Sequence, residues 1–199
     1  MGDSIIRWAA VHILEKGPPE DPDFKLGLMV DSVCWKGRSG RRLAQFKEDF
    51  PFLCATSQHL PSVILIHLGT NDIVNTPVQE IQWTFQQAMS LIFKHVHNPF
   101  LIFSEILPRL YYKGAINQKK VEKTRKTLNR RIRALMGRCG GHVIRHPMFS
   151  QEQVHLFRKD GTHLTAEGNE LFLKDVKEGL RYFQLYPQFF VYPPFPINL

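Results

Sequence analysis

The sequence predicts an α/β chain: a three-layer sandwich around a mostly parallel sheet. Three observations predict it. Short apolar runs alternate along the chain with longer stretches of helical periodicity. The runs SVILIHLG at 62–69 and PFLIFSEI at 99–106 are apolar almost throughout, as strands covered on both faces must be. Polar, glycine-bearing clusters then follow the expected strands: GRSG at 37–40, GTND at 69–72 and DGTH at 160–163. Open parallel sheets gather their chemistry at those carboxyl ends.

Each element has its own warrant. Ile5, Ile6, Ala9, Ile13 and Leu14 form a helical stripe over 5–16, and GPPEDP at 17–22 breaks it. LGLMVDSVCW at 26–35 reads as a strand with Cys34 as a packing residue, and 40–50 as a short helix ended by Pro51. After the strand at 62–69, Pro77 starts a helix to His95, and the strand at 99–106 follows. Residues 116–138 make a basic helix with Val121, Leu128, Ile132 and Leu135 on one side. HVIRHPM at 142–148 is the last expected strand, and Thr165 caps a helix to about 184 with Glu167 and Glu170 in its early turns. One domain is expected over 1–185, with the aromatic, proline-punctuated tail 186–199 lying extended on its surface.

Composition narrows the class. The 199 residues are 43% hydrophobic and 22% charged, as in ordinary globular domains. No run approaches the roughly 20 apolar residues of a membrane span, and no basic-then-apolar leader opens the chain. Cys34, Cys54 and Cys139 form neither a metal knuckle nor a disulfide framework, which points to a reducing compartment: cytoplasmic, with the nucleus second. The pairs His95/His97 and His142/His146 lack accompanying carboxylates or cysteines, so no zinc site is expected. His67, inside a buried strand, reads as a hydrogen-bonded core histidine. The net charge of +8 is a mild pointer to an anionic partner.

Four short stretches carry the chemistry: GDS at 2–4, GRSG at 37–40, GTND at 69–72 and DGTH at 160–163. Ester hydrolysis needs a nucleophile, a base and donors for the developing oxyanion. Ser4 supplies a hydroxyl at a strand-to-helix turn. His163 supplies a base, and Asp160, three residues earlier on the same loop, can hold its tautomer. Asn71 offers a side-chain N–H, and a glycine lets backbone approach the substrate closely.

In this order, spanning nearly the whole chain, the motifs resemble those of the SGNH hydrolases, the GDSL-like serine esterases and lipases of flavodoxin-like fold. The resemblance implies Ser4 as nucleophile, His163 as base and Asp160 as its orienting carboxylate. It implies an oxyanion hole from the Ser4 N–H, a glycine N–H and the Asn71 side chain. Within GRSGRRL that glycine is assigned as Gly40, with Gly37 the runner-up. It implies acyl-ester substrates, no metal and no organic cofactor. SEILPR at 104–109, VIRHPMF at 143–149 and LFRKDGTHLTAEG at 156–168 further resemble SGNH-type domains encoded by vertebrate retroelements.

Two features sit beside this reading. The basic helix carries Lys119, Lys120, Lys123, Arg125, Lys126, Arg130, Arg131 and Arg133. A solvated face is the default, and an anion-binding surface for nucleic acid or acidic lipid is the alternative. In the resembling family the first strand lies inside the sheet and ends at the serine, whereas here only Met1 precedes GDS. The expectation is a chain lacking that strand, begun at an internal methionine, with Ser4 on a free arm. Either the strands at 26–35 and 62–69 pair directly, or Phe189–Tyr192 fills the gap. Asp72 is expected to brace its loop, and Glu105 and Arg109 to line the pocket or pair with each other.

Overall fold

A computed structural model describes residues 1–15 and 33–194. Its elements are α1 (Ser4–Glu15), α2 (Phe46–Thr56), β1 (Val63–Ile66), α3 (Val78–His95), β2 (Phe100–Ser104), α4 (Gln118–Arg138), β3 (His142–Ile144), α5 (Ala166–Leu185) and β4 (Val191–Tyr192). The four strands are parallel, in the order β1-β2-β3-β4.

Alternation along each strand divides the core in two. Ile64 and Ile66 of β1, Leu101 and Phe103 of β2, and Val143 of β3 face one cluster, shared with α2, α3 and α4. Val63, Leu65, Phe100, Ile102 and Ile144 face the other, shared with α1 and α5. The near-continuous apolar runs are therefore explained: both strand faces are covered, as the predicted sandwich requires. Thr165 caps its helix as expected, and Asn117 does the same for α4. Asn117 accepts the Lys120 N–H at 2.9 Å, and Thr165 accepts that of Gly168 at 3.2 Å.

Four expectations are corrected. Helix α2 runs through Pro51 instead of ending there. Pro51 forfeits a helical hydrogen bond, at about 3 kcal/mol. Phe46 and Phe50 are both buried and stacked at 5.0 Å, and burial of each returns about 1.5–3 kcal/mol, so packing wins. Cys34 is exposed, and 33–35 carry no strand, while 26–32 lie outside the described residues. Phe189–Tyr192 does not fill the gap beside β1. Val191 and Tyr192 pair instead with β3 at the far edge, through Val143 N–H to Phe190 O (2.7 Å) and Arg145 N–H to Tyr192 O (2.6 Å).

The fourth concerns the arm carrying Ser4, which is not free. The Met1 amine donates to the Leu65 carbonyl, His67 N–H to Met1 O (3.0 Å), and Asp3 N–H to His67 O (3.3 Å). On the other side, Gly2 N–H donates to Lys36 O (3.2 Å) and Arg38 N–H to Gly2 O (3.1 Å). Residues 1–3 thus lie as a parallel stub between 36–38 and 65–67. A Cβ at Gly2 would meet Ile6 Cγ1 at 2.1 Å, so only glycine fits this approach. Three residues do the placing that was expected of a strand.

Candidate active site

Ser4 is the first residue of α1 and only 5% exposed. Asp3 starts the helix: its Oδ1 accepts the Ile5 N–H at 2.9 Å and its carbonyl accepts that of Arg7 at 3.2 Å. Burial pushes the Asp3 carboxyl up, opposed by that N–H and by Arg109. One turn beyond Ser4, Trp8 meets the His163 ring edge-on at 6.0 Å, and the Arg158 guanidinium covers Trp8 at 4.2 Å.

The DGTH loop folds locally around Asp160. Its Oδ1 accepts the N–H groups of Thr162 and His163, each at 2.8 Å, and its Oδ2 lies 2.7 Å from His163 Nδ1. Burial would raise this carboxyl, but the His163 and Thr162 hydrogen bonds outweigh it and hold it at about 2. With Asp160 ionised, Nδ1 carries a proton toward it and Nε2 is left as the acceptor.

Asn71 is held at both ends. Its Nδ2 donates to the Arg41 carbonyl at 3.0 Å, and its Oδ1 accepts from Arg109 Nη2 at 2.9 Å. Gly40, next to Arg41, adopts φ +71° and has open space where a Cβ would stand. A Cβ at Gly37 would strike the Arg7 nitrogen at 2.2 Å, so that glycine serves the packing of α1. Asp72 braces its loop, accepting the Leu43 N–H at 3.1 Å, and burial pushes it up to about 6.

These contacts close a ring. Arg7 of α1 donates to Ser39 Oγ (3.1 Å), Arg41 holds Asn71, and Asn71 holds Arg109. Leu110 N–H donates to Gly161 O (2.8 Å), and His163 returns to Trp8 on α1. All four motifs and SEILPR meet in this circuit. Arg109 was expected to line the pocket or pair with Glu105, whereas Trp8 escaped assignment from sequence. Trp8 carried a usable signal, since it lies four residues past Ser4 on one helical face. Glu105 and Arg109 do not pair with each other. Glu105 accepts from Arg133, at 2.9 Å to Nε.

The basic helix presents a mixed face. Lys119, Lys120, Lys123, Lys126, Arg130 and Arg138 are exposed. Arg125 turns inward to Glu122 (2.8 and 2.6 Å) and Ile106 O (2.6 Å), Arg131 reaches Gln82 (3.2 Å), and Arg133 holds Glu105. Among the described residues no three His, Cys, Asp or Glu side chains converge as metal ligands, and no helix is long and apolar enough to cross a membrane.

A parallel sheet covered on both faces, with polar loops meeting at its carboxyl edge, defines a three-layer α/β sandwich. The chain belongs to the GDSL-like lipase/acylhydrolase family, whose pattern it matches over residues 1–171. No curated protein matches it by sequence. Its fold is similar to that of a GDSL-like lipase from Bacteroides thetaiotaomicron VPI-5482, with a TM-score of 0.69 and 21% identity over 91% of this chain and 85% of that one. It is also similar to a carbohydrate esterase family 3 protein from Talaromyces cellulolyticus (TM-score 0.63, 15% identity, 95% and 97% covered). A psychrotrophic esterase from Pseudoalteromonas sp., solved with monoethylphosphonate as inhibitor, gives a TM-score of 0.61 at 13% identity, with 91% and 87% covered.

Proposed function

We propose that the chain is a serine esterase acting on small or accessible acyl esters through an acyl-enzyme. The observation that carries this is the closed ring: four motifs spread over 160 residues meet around the N-terminus of one helix. Ser4 Oγ attacks the ester carbonyl as His163 Nε2 takes its proton, and Asp160 steadies the resulting imidazolium. The Ser4 N–H is among the first N–H groups of α1, which have no intrahelical partner. With the Gly40 N–H and the second Asn71 N–H it receives the oxyanion. Collapse expels the alcohol with the proton from His163, and water, activated by the same histidine, releases the acid. Ser4 and His163 must still approach within hydrogen-bond reach in the substrate complex.

The test is covalent labelling by a fluorophosphonate. Labelling at Ser4, abolished in Ser4→Ala, is expected; a folded wild-type chain that stays unlabelled overturns the reading.

A second reading, an anion-binding remnant of a retroelement protein, is supported by the six exposed cations of α4. It requires binding to RNA or anionic vesicles that weakens steeply with salt. The free thiols Cys34, Cys54 and Cys139 support a cytoplasmic or nuclear setting for either reading.

A further inference from the structure

A second Ser–His–Asp arrangement lies in the core, apart from the ring. Ser104, at the end of β2, places Oγ 2.8 Å from His146 Nε2, and His146 Nδ1 lies 2.8 Å from Asp175 Oδ2 of α5. Ser104 is 0% exposed, so it meets no substrate. Its hydroxyl also lies 3.0 Å from His67 Nδ1. His67 is the residue whose main chain grips Met1 on one side and Asp3 on the other. Four polar side chains, all buried, thus connect α5 to the backbone that seats Ser4.

The direction of the chain follows from proton counting. His67 Nε2 is buried without a hydrogen-bond partner. If that nitrogen carried the proton, a buried donor would be left unpaired, which is dearer than an unpaired acceptor lone pair. With the proton on Nδ1, every donor is used: His67 Nδ1–H to Ser104 Oγ, Ser104 O–H to His146 Nε2, and His146 Nδ1–H to Asp175. Burial, with His146 beside it, holds His67 down at about 3, so its ring is neutral and has one proton to place. Phe172 packs against both rings, at 5.3 Å from His67 and 5.0 Å from His146, which keeps water from supplying alternatives.

We propose that Ser104, His146 and Asp175 form a buried positioning relay that fixes His67 as its Nδ1–H tautomer and thereby locks the Met1–Asp3 stub presenting Ser4. The catalytic consequence rests on the esterase reading; the tautomer and the lock do not. None of the four is a catalytic residue.

The test uses the whole chain and two substitutions. Asp175→Leu removes the acceptor that keeps the His146 proton on Nδ1; either order of the chain then leaves one buried donor unpaired, so His67 is released to populate Nε2–H beside Nδ1–H. Asp175→Asn keeps an acceptor oxygen and should behave as wild type. Ring ¹⁵N shifts should show Nδ1–H alone for His67 in wild type and Asp175→Asn, and an added Nε2–H population in Asp175→Leu. Amide exchange at Asp3 and His67 should quicken at least about tenfold in Asp175→Leu while the amides of α3 keep their protection. Turnover should fall about tenfold with KM within about twofold, because a displaced nucleophile loses rate before binding. Nε2–H in the wild type, an unchanged tautomer in Asp175→Leu, or exchange quickened equally everywhere overturns the relay. Coupled tautomer and exchange changes in a chain that Ser4 labelling shows to be inert establish the lock and remove only the esterase reading.

Discussion

Asn71 and Arg109 illustrate how a residue's role depends on what holds it. An amide rotates freely unless both ends are engaged, and here Arg41 O and Arg109 Nη2 engage them. Replacing an oxyanion donor costs about 10²–10³ in turnover, so on the proposed esterase reading Asn71→Ala should lose that much. Arg109→Met should lose about tenfold in kcat with little change in KM, and nothing further in the Asn71→Ala background. Additive losses in the double variant would mean that Arg109 acts elsewhere. Two carboxylates make opposite pH statements. Asp160 sits near 2 in the folded chain against an ordinary 3.8, so its contribution to stability is present above about 3.8 and lost as pH falls toward 2. Asp72 sits near 6, so its contribution is present below about 3.8 and lost as pH rises through 6. Urea midpoints should show the deficit of Asp160→Asn shrinking from about pH 4 to 2, and Asp72→Asn gaining on wild type from about pH 4 to 6.

At the scale of the element, α4 shows why a charge run needs its partners before it can be interpreted. The apolar positions Val121, Leu128, Ile132 and Leu135 are buried as the 3.6 period predicts. The charges are less uniform than their sequence. Arg125 and Glu122 have side chains 11% and 12% exposed, and Tyr112 O–H adds a hydrogen bond to Glu122 at 2.7 Å. Arg125→Ala takes the closest cation from a partly buried carboxylate that keeps Tyr112 and Lys126, and should cost about 1.5–3 kcal/mol. Lys123→Ala, on the open face, should stay within about 0.5 kcal/mol. Denaturant melts of the two variants decide it, with equal losses refuting the distinction. Sequence could place the helix and its buried stripe. It could not sort inward from outward arginines, because Arg side chains are long enough to reach either way.

For the whole molecule, the join between the N-terminal stub and the sheet sets both stability and the site. A cavity of about 340 Å³ runs along β1, lined by Met1, Ile6, Trp35, Val63, Leu65 and Phe172 among others. Burial pushes the Met1 amine down to about 5, a cost that a peptide bond in its place would not carry. Joining an apolar segment of about four to six residues to Met1 should therefore lengthen the stub along β1. Melting temperature should rise by roughly 2–4 °C per kcal/mol gained, and turnover with it. An apolar extension that melts with its polar scramble would show that the cavity does not take a strand.

What the sequence determined by itself was local or periodic. Runs covered on both faces announced the parallel sheet, apolar stripes announced the helices, and Asp160 and His163 pair because three residues of loop suffice to join them. What only the tertiary structure decided depends on contacts between residues far apart in the chain. Arg109 reaches Asn71 across 38 positions, Ser104 reaches His146 across 42, and Leu65 and His67 take hold of Met1 from more than 60 away. No period or spacing encodes such pairs. They arise because the sheet's crossovers bring separate strand ends to one edge, and close packing there limits each polar group to the few partners within reach.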